Sequence, residues 1–190
     1  MYKDNNIEFE ITQTKISISF WFVASLTLMF LLDNGYNALM SLISIIIHEL
    51  FHILFIYFFG GYVELMKFSL IEINIKTKLD MLKASQKFTI ALAGPLSNIC
   101  LYIVFKKIYN EFAIVNLAIA SFQLLPINTL DGDKALEALG ISNKIRQILS
   151  IFLTFLFALL GFYILLITKY NFSVLVISLF LLFSSLTCKN

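Results

Sequence analysis

The chain has 190 residues, 59% of them hydrophobic and 14% charged, with a mean hydropathy of +0.88. A soluble domain of this size would be about a quarter charged, so an ordinary water-soluble domain is excluded. The net charge of +2 says little about partners and gives no reason to expect nucleic acid.

Residues Met1 to Lys15 are polar and mixed in charge. No small-residue cleavage site follows the first apolar run, so no secretory signal is expected. A helix needs roughly 20 apolar residues to cross the hydrocarbon core of a bilayer. Six runs approach that length. The first covers Ile16 to Leu32 and ends at Asp33-Asn34-Gly35, and the second covers Ala38 to Phe59 and ends at Gly60-Gly61. From Leu70 onward the next segment alternates apolar and polar residues through Ile75-Lys76-Thr77. Period two predicts a short strand or hairpin at the membrane surface. It serves either as a structural cover or as an edge that pairs with an extended substrate segment.

The third span covers Phe88 to Phe105 and ends at Lys106-Lys107. The fourth, Phe112 to Leu125, is short and stops at Pro126. The run Asp133 to Leu139 predicts a short interfacial helix. The fifth span covers Ile148 to Ile167 and the sixth Phe172 to Leu186. The expectation is an all-α polytopic membrane protein, residues 1–190 forming a single domain, with the strand or hairpin after the second helix on the cytoplasmic face. Cys100 and Cys188 lie in or beside apolar stretches and are read as small buried hydrophobes without a disulfide framework.

Six spans put both termini on one side. Eleven of the 14 Lys and Arg residues then fall on the side of the termini, and only Lys106, Lys107 and Lys169 on the other. Cytoplasmic loops carry the excess of positive charge. The bias therefore places the termini, and the loops after the second and fourth spans, in the cytoplasm.

The two histidines stand four residues apart in His48-Glu49-Leu50-Phe51-His52, inside the second span. On a helix, residues i and i+4 share a face, so His48 and His52 can offer two imidazole nitrogens to one metal ion. Glu49 is placed to act as general base toward water at that ion. Catalytic zinc uses three protein ligands, and no histidine remains, so the third must be Asp, Glu or Cys. Glu111 falls on the far side, and Glu64 and Glu72 fall in the surface segment. Asp131 is the best candidate. It follows the short fourth span, where Pro126 breaks the helix and Gly132 allows unusual backbone angles, so the chain can fold back against the histidines. The alternative is an ordinary loop aspartate after a helix.

His48-Glu49-x-x-His52, then Ala93-Gly94-Pro95-Leu96-Ser97-Asn98, then Leu130-Asp131-Gly132 resemble, in order and spacing, the site-2 protease family of intramembrane zinc metalloproteases. The layout, with no PDZ insertion or CBS domain expected, looks most like its sporulation branch, typified by the stage IV protease that activates a sigma factor. The resemblance implies that His48, His52 and Asp131 hold one Zn2+ and that Glu49 activates water. It also implies substrate-positioning roles for Asn98, Gln123 and Pro126. The family usually has asparagine where Gln123 stands, and glutamine keeps the amide donor at one methylene greater reach. For Asn98 and Gly94 the plain alternative is close helix–helix packing.

The resulting expectation is an endopeptidase of a bacterial cell membrane, with its opening to the cytoplasm. Its partners would be the lipid bilayer, a membrane-tethered protein substrate such as a sigma-factor precursor or an anti-sigma factor, and a membrane inhibitor or regulator. Two rivals come from other classes. A metal transporter would spread polar ligands along several spans, and an inactive membrane scaffold would not need Glu49.

Overall fold

A computed structural model describes residues 6–11, 14–33, 36–68, 73–78 and 82–168, with 179, 181 and 182. The chain opens with strands β1 (Asn6–Ile11) and β2 (Thr14–Ser19), followed by helices α1 (Phe20–Leu32) and α2 (Asn37–Phe58). Strands β3 (Tyr62–Phe68) and β4 (Ile73–Lys78) come next. Helices α3 (Ala84–Phe105), α4 (Asn110–Gln123), α5 (Asp131–Ala138) and α6 (Asn143–Thr168) follow among the described residues.

The fold is mostly helical but not all-α, because it contains a four-stranded sheet in the order β1-β2-β3-β4. The hairpin expected after the second helix is present as β3 and β4, paired antiparallel from Tyr62↔Lys78 to Phe68↔Ile73. A second hairpin, β1 with β2, lies at the chain start. It corrects the expected start of the first span, since Ile16 to Ser19 belong to β2 and the helix begins at Phe20. The physical reason is local. Lys15-Ile16-Ser17-Ile18-Ser19 alternates with period two, which suits a pleated, half-buried surface and not a lipid-facing helix.

Strand β2 pairs parallel to β3, from Lys15↔Leu65 to Ile18↔Phe68, and the Thr14 hydroxyl donates to the Val63 carbonyl at 2.8 Å. Parallel neighbours need a long crossover, and here α1 and α2 provide it. The sheet thereby ties the start of α1 to the end of α2 and places the N-terminal hairpin beside the surface segment.

Among the described residues, three helices are long and apolar enough to cross a membrane: Asn37–Phe58, Ala84–Phe105 and Asn143–Ile167. The chain is therefore that of a membrane protein. Helices α1 and α4 have 13 and 14 residues, which at about 1.5 Å per residue reach roughly 20 Å, short of the ~30 Å hydrocarbon core. The expected sixth span, Phe172 to Leu186, lies outside the described residues except for helical positions 179, 181 and 182.

Helix α2 turns its apolar bulk outward: Ile46, Leu50, Leu54 and Phe58 are exposed on it. Its buried stripe is Met40, Ser44, His48, His52 and Ile56, one residue every four. The Asp33 carboxylate accepts from the Ala38 amide at 2.8 Å and ties down the first turn. Helix α3 is the central post, packed against α2, α4 and α5. Its buried middle is built of small residues, Ala91, Ala93, Gly94, Pro95 and Ser97, which let neighbouring backbones come close. Cys100 on α3 is exposed rather than buried as expected; Cys188 lies outside the described residues.

Between α4 and α5 the chain turns sharply. Thr129 has φ 81, a left-handed conformation uncommon for a β-branched residue. The turn is held from within and from the side. Ile127 is fully buried and packs with Leu130 and Leu181, against Leu125, Leu153 and Phe157. The Ser150 hydroxyl of α6 accepts from the Asn128 amide at 2.9 Å. Arg146, also on α6, donates to the Asp133 carboxylate at 2.7 Å and to Glu137 at 3.1 Å. Helix α6 thus clamps both the loop and the helix that carry Asp131.

Truncating Ile127 tests whether the turn is a packed unit. Ile127→Ala should lower stability by about 2–5 kcal/mol, measured by thermal unfolding in detergent. Leu139→Ala, at a residue 60% exposed, should change it by less than ~0.5 kcal/mol.

Candidate metal centre

His48 and His52 lie one turn apart on the inward stripe of α2 and are both buried. Each ring is fixed from behind by an oxygen. His48 Nδ1–H donates to Asn98 Oδ1 at 3.2 Å, and His52 Nδ1–H donates to the Ile90 carbonyl at 2.8 Å. Both acceptors sit on α3, eight residues apart, on the side that faces α2. Because these oxygens accept only, each neutral ring carries its proton on Nδ1 and directs the lone pair of Nε2 forward.

The two forward nitrogens are 3.2 Å apart. Asp131 Oδ2 completes a triangle with them, 2.9 Å from each. Asp131 is the first residue of α5 and is buried, and the helix start favours its negative charge. The Lys134 Nζ stands 3.0 Å from Asp131 Oδ1.

Two glycines make the approach of these elements geometrically feasible. A Cβ on Gly94 would overlap Nε2 of both histidines, so the imidazole pair faces a bare stretch of α3 backbone. A Cβ on Gly132 would overlap the carbonyl oxygens of Leu124 and Leu125, so α5 can start against the end of α4 only with glycine there.

Three ligand atoms, one from each of His48, His52 and Asp131, lie within 4.8 Å of one another and could hold a metal ion. Their chemistry fits one. With both Nδ1 positions donating backward, two nitrogen lone pairs and a carboxylate oxygen converge with no proton between them, an arrangement that a cation stabilises. Donors about 2.0–2.1 Å from a tetrahedral zinc stand roughly 3.3 Å apart, close to the observed triangle. A His-His-carboxylate set is a catalytic rather than a structural zinc pattern, since it leaves a position open.

Glu49 is half-buried and within electrostatic reach of His52, His48, Asp131 and Lys134. Asn98 is drawn to the centre, though as the partner of His48. Gln123 closes α4 and is half-buried, and Pro126 opens the irregular turn. Neither belongs to the cluster, and neither do Glu64 and Glu111; Glu72 lies outside the described residues. Two contributors carry no motif of their own, the Ile90 carbonyl and Lys134. The Ile90 carbonyl is a backbone atom and leaves no signature. Lys134 was detectable only through its i+3 spacing from Asp131 once Asp131 opened a helix. For Gly94 the close-packing alternative describes its place, against the imidazoles themselves.

No family model matches the chain, and no curated protein matches it. Among solved structures it is similar to the site-2 protease from Methanocaldococcus jannaschii, with a TM-score of 0.69 at 20% identity. The alignment covers 95% of this chain and 93% of that one. The likeness is one of fold. It extends over nearly the whole length of both chains and so includes the helices that bring His48, His52 and Asp131 together.

The backing of the imidazoles can be tested by metal content. Asn98→Ala removes the acceptor behind His48 and should weaken zinc binding about 10–100-fold, read by competition with a chromophoric chelator. Asn98→Asp keeps an acceptor and should retain most of the affinity. Gly94→Ala should reduce bound zinc, measured by elemental analysis, below half of the wild-type content.

Proposed function

We propose that the chain is an intramembrane zinc endopeptidase of the site-2 protease kind. The observation that carries this reading is the triangle of His48 Nε2, His52 Nε2 and Asp131 Oδ2. It stands beside Glu49 on a membrane-length helix, in a fold shared with a site-2 protease.

His48, His52 and Asp131 would hold the zinc ion. Zinc, when bound, polarises the scissile carbonyl and lowers the pKa of water toward neutrality. Glu49 takes the proton from the attacking water and later delivers it to the departing amine nitrogen, so the peptide C–N bond is replaced by a carboxylic acid and an amine. Asn98 and the Ile90 carbonyl keep both imidazoles in one tautomer while this happens. Gln123 and Pro126, at the mouth of the Asp131 turn, would position the substrate backbone.

The substrate is a membrane-tethered protein. Peptide bonds in a spanning helix are shielded by their own hydrogen bonds, so the cleaved segment must be extended. Edge strand β4 offers backbone groups for such a segment. The Lys and Arg distribution supports a multi-pass arrangement with six spans, cytoplasmic termini and a cytoplasmic opening. A bacterial host agrees with the Ile-, Lys-, Asn- and Phe-rich composition. A sigma-factor precursor or anti-sigma factor as substrate, and a membrane protein as regulator, rest on the motif resemblance alone.

Co-expression with tethered candidate substrates tests the assignment. Glu49→Gln should lower cleavage by at least about 100-fold while the zinc content stays at the wild-type level. Equal cleavage by the variant and the wild type would sink the protease reading. Asp131→Asn should lower bound zinc, and unchanged stoichiometry would remove Asp131 from the ligand set.

A further inference from the structure

The two carboxylate oxygens of Asp131 face different partners. Oδ2 faces the histidine nitrogens, 2.9 Å from each. Oδ1 accepts from Lys134 Nζ at 3.0 Å. The carboxylate side chain is 4% exposed and the lysine side chain 58% exposed, so the ammonium reaches the buried group from the open side. Both residues belong to α5, three positions apart, and so share a face.

We propose that Lys134 is a positioning residue that reserves Oδ1 and limits Asp131 to one ligand atom, keeping a coordination position open at the metal centre. This rests on the metal-site reading above and adds to it. A carboxylate can bind a cation through one oxygen or two. Turning both oxygens onto the ion would require Oδ1 to leave its charge-assisted bond with the ammonium. The start of α5 is itself fixed, because Gly132 lies close against the Leu124 and Leu125 carbonyls, so the backbone does not shift to bring both oxygens forward. Arg146 holds the same helix through Asp133 and Glu137. Without the lysine donor, Oδ1 has a lone pair to offer to the ion and the site can close upon itself.

The test uses the full chain in detergent, stripped with a chelator and loaded with Co2+, whose visible absorption weakens as its coordination number rises above four. Wild-type protein should bind about one Co2+ and show the intense bands of a four-coordinate ion. Lys134→Met should bind Co2+ with a markedly weaker absorption per bound ion. It should also respond to added azide only at a concentration at least about tenfold higher, the scale of outer-shell effects. Lys134→Arg keeps a cationic donor and should restore the wild-type spectrum. Lys134→Ala is the second truncation should Lys134→Met fail to fold, with helicity checked by circular dichroism. An unchanged absorption per ion in the folded truncations overturns the proposal, as does loss of the ion from them or failure of Lys134→Arg to restore the spectrum. Wild-type protein that takes up no Co2+ sinks the metal-site reading itself, an outcome distinct from any difference among the Lys134 variants.

Discussion

Three electron-rich atoms from distant parts of the chain are held within about a hydrogen bond's length of one another, on buried side chains. Two imidazole nitrogens from α2 meet one carboxylate oxygen from α5. Left to themselves such atoms repel or recruit protons, and in a buried setting an unpaired charge is costly. Much of the architecture serves to hold this convergence. Small residues in the middle of α3 open the space, α3 oxygens orient the rings from behind, and α6 pins the turn that delivers the carboxylate.

The division of labour among the helices follows from what each faces. Helix α2 must be greasy outside, and its polar stripe recurs at every fourth residue inside, so it carries reactive groups without exposing them. Helix α3 contributes no ligand side chain and instead supplies two acceptors and a missing Cβ. The irregular turn from Leu124 to Leu130 is the costly part, with Thr129 at positive φ and backbone removed from helical bonding. Non-helical backbone of this kind is tolerated when buried in protein. Burial of Ile127 and the hydrogen bond to Ser150 provide that setting.

Much of the centre was legible in the residues. His48 and His52 declare a shared helix face by spacing alone, with Glu49 adjacent to it. Asp131 was indicated because Pro126 and Gly132 bracket a break after a span too short to continue. The three long apolar helices were also visible as runs of sufficient length. The N-terminal hairpin was hidden because Ile16 and Ile18 adjoin a longer apolar run, so a period-two segment merged into the helix that follows it. The exposure of Cys100 was equally hidden, since an apolar segment does not disclose which of its faces meets lipid and which meets protein.

What the amino-acid sequence determined by itself is local: apolar length, the i and i+4 pairing of the histidines, the helix break before Asp131, and the asymmetry of positive charge. These depend on near neighbours and on the solvent each segment requires. Only the tertiary structure decided that Asn98 stands behind His48, that a backbone carbonyl at Ile90 does the same for His52, and that Lys134 takes one oxygen of Asp131 while the histidines face the other. Those choices are distances between residues 38 to 83 positions apart, or the pointing of a side chain within one turn. They arise from how helices pack, and linear spacing carries no record of that.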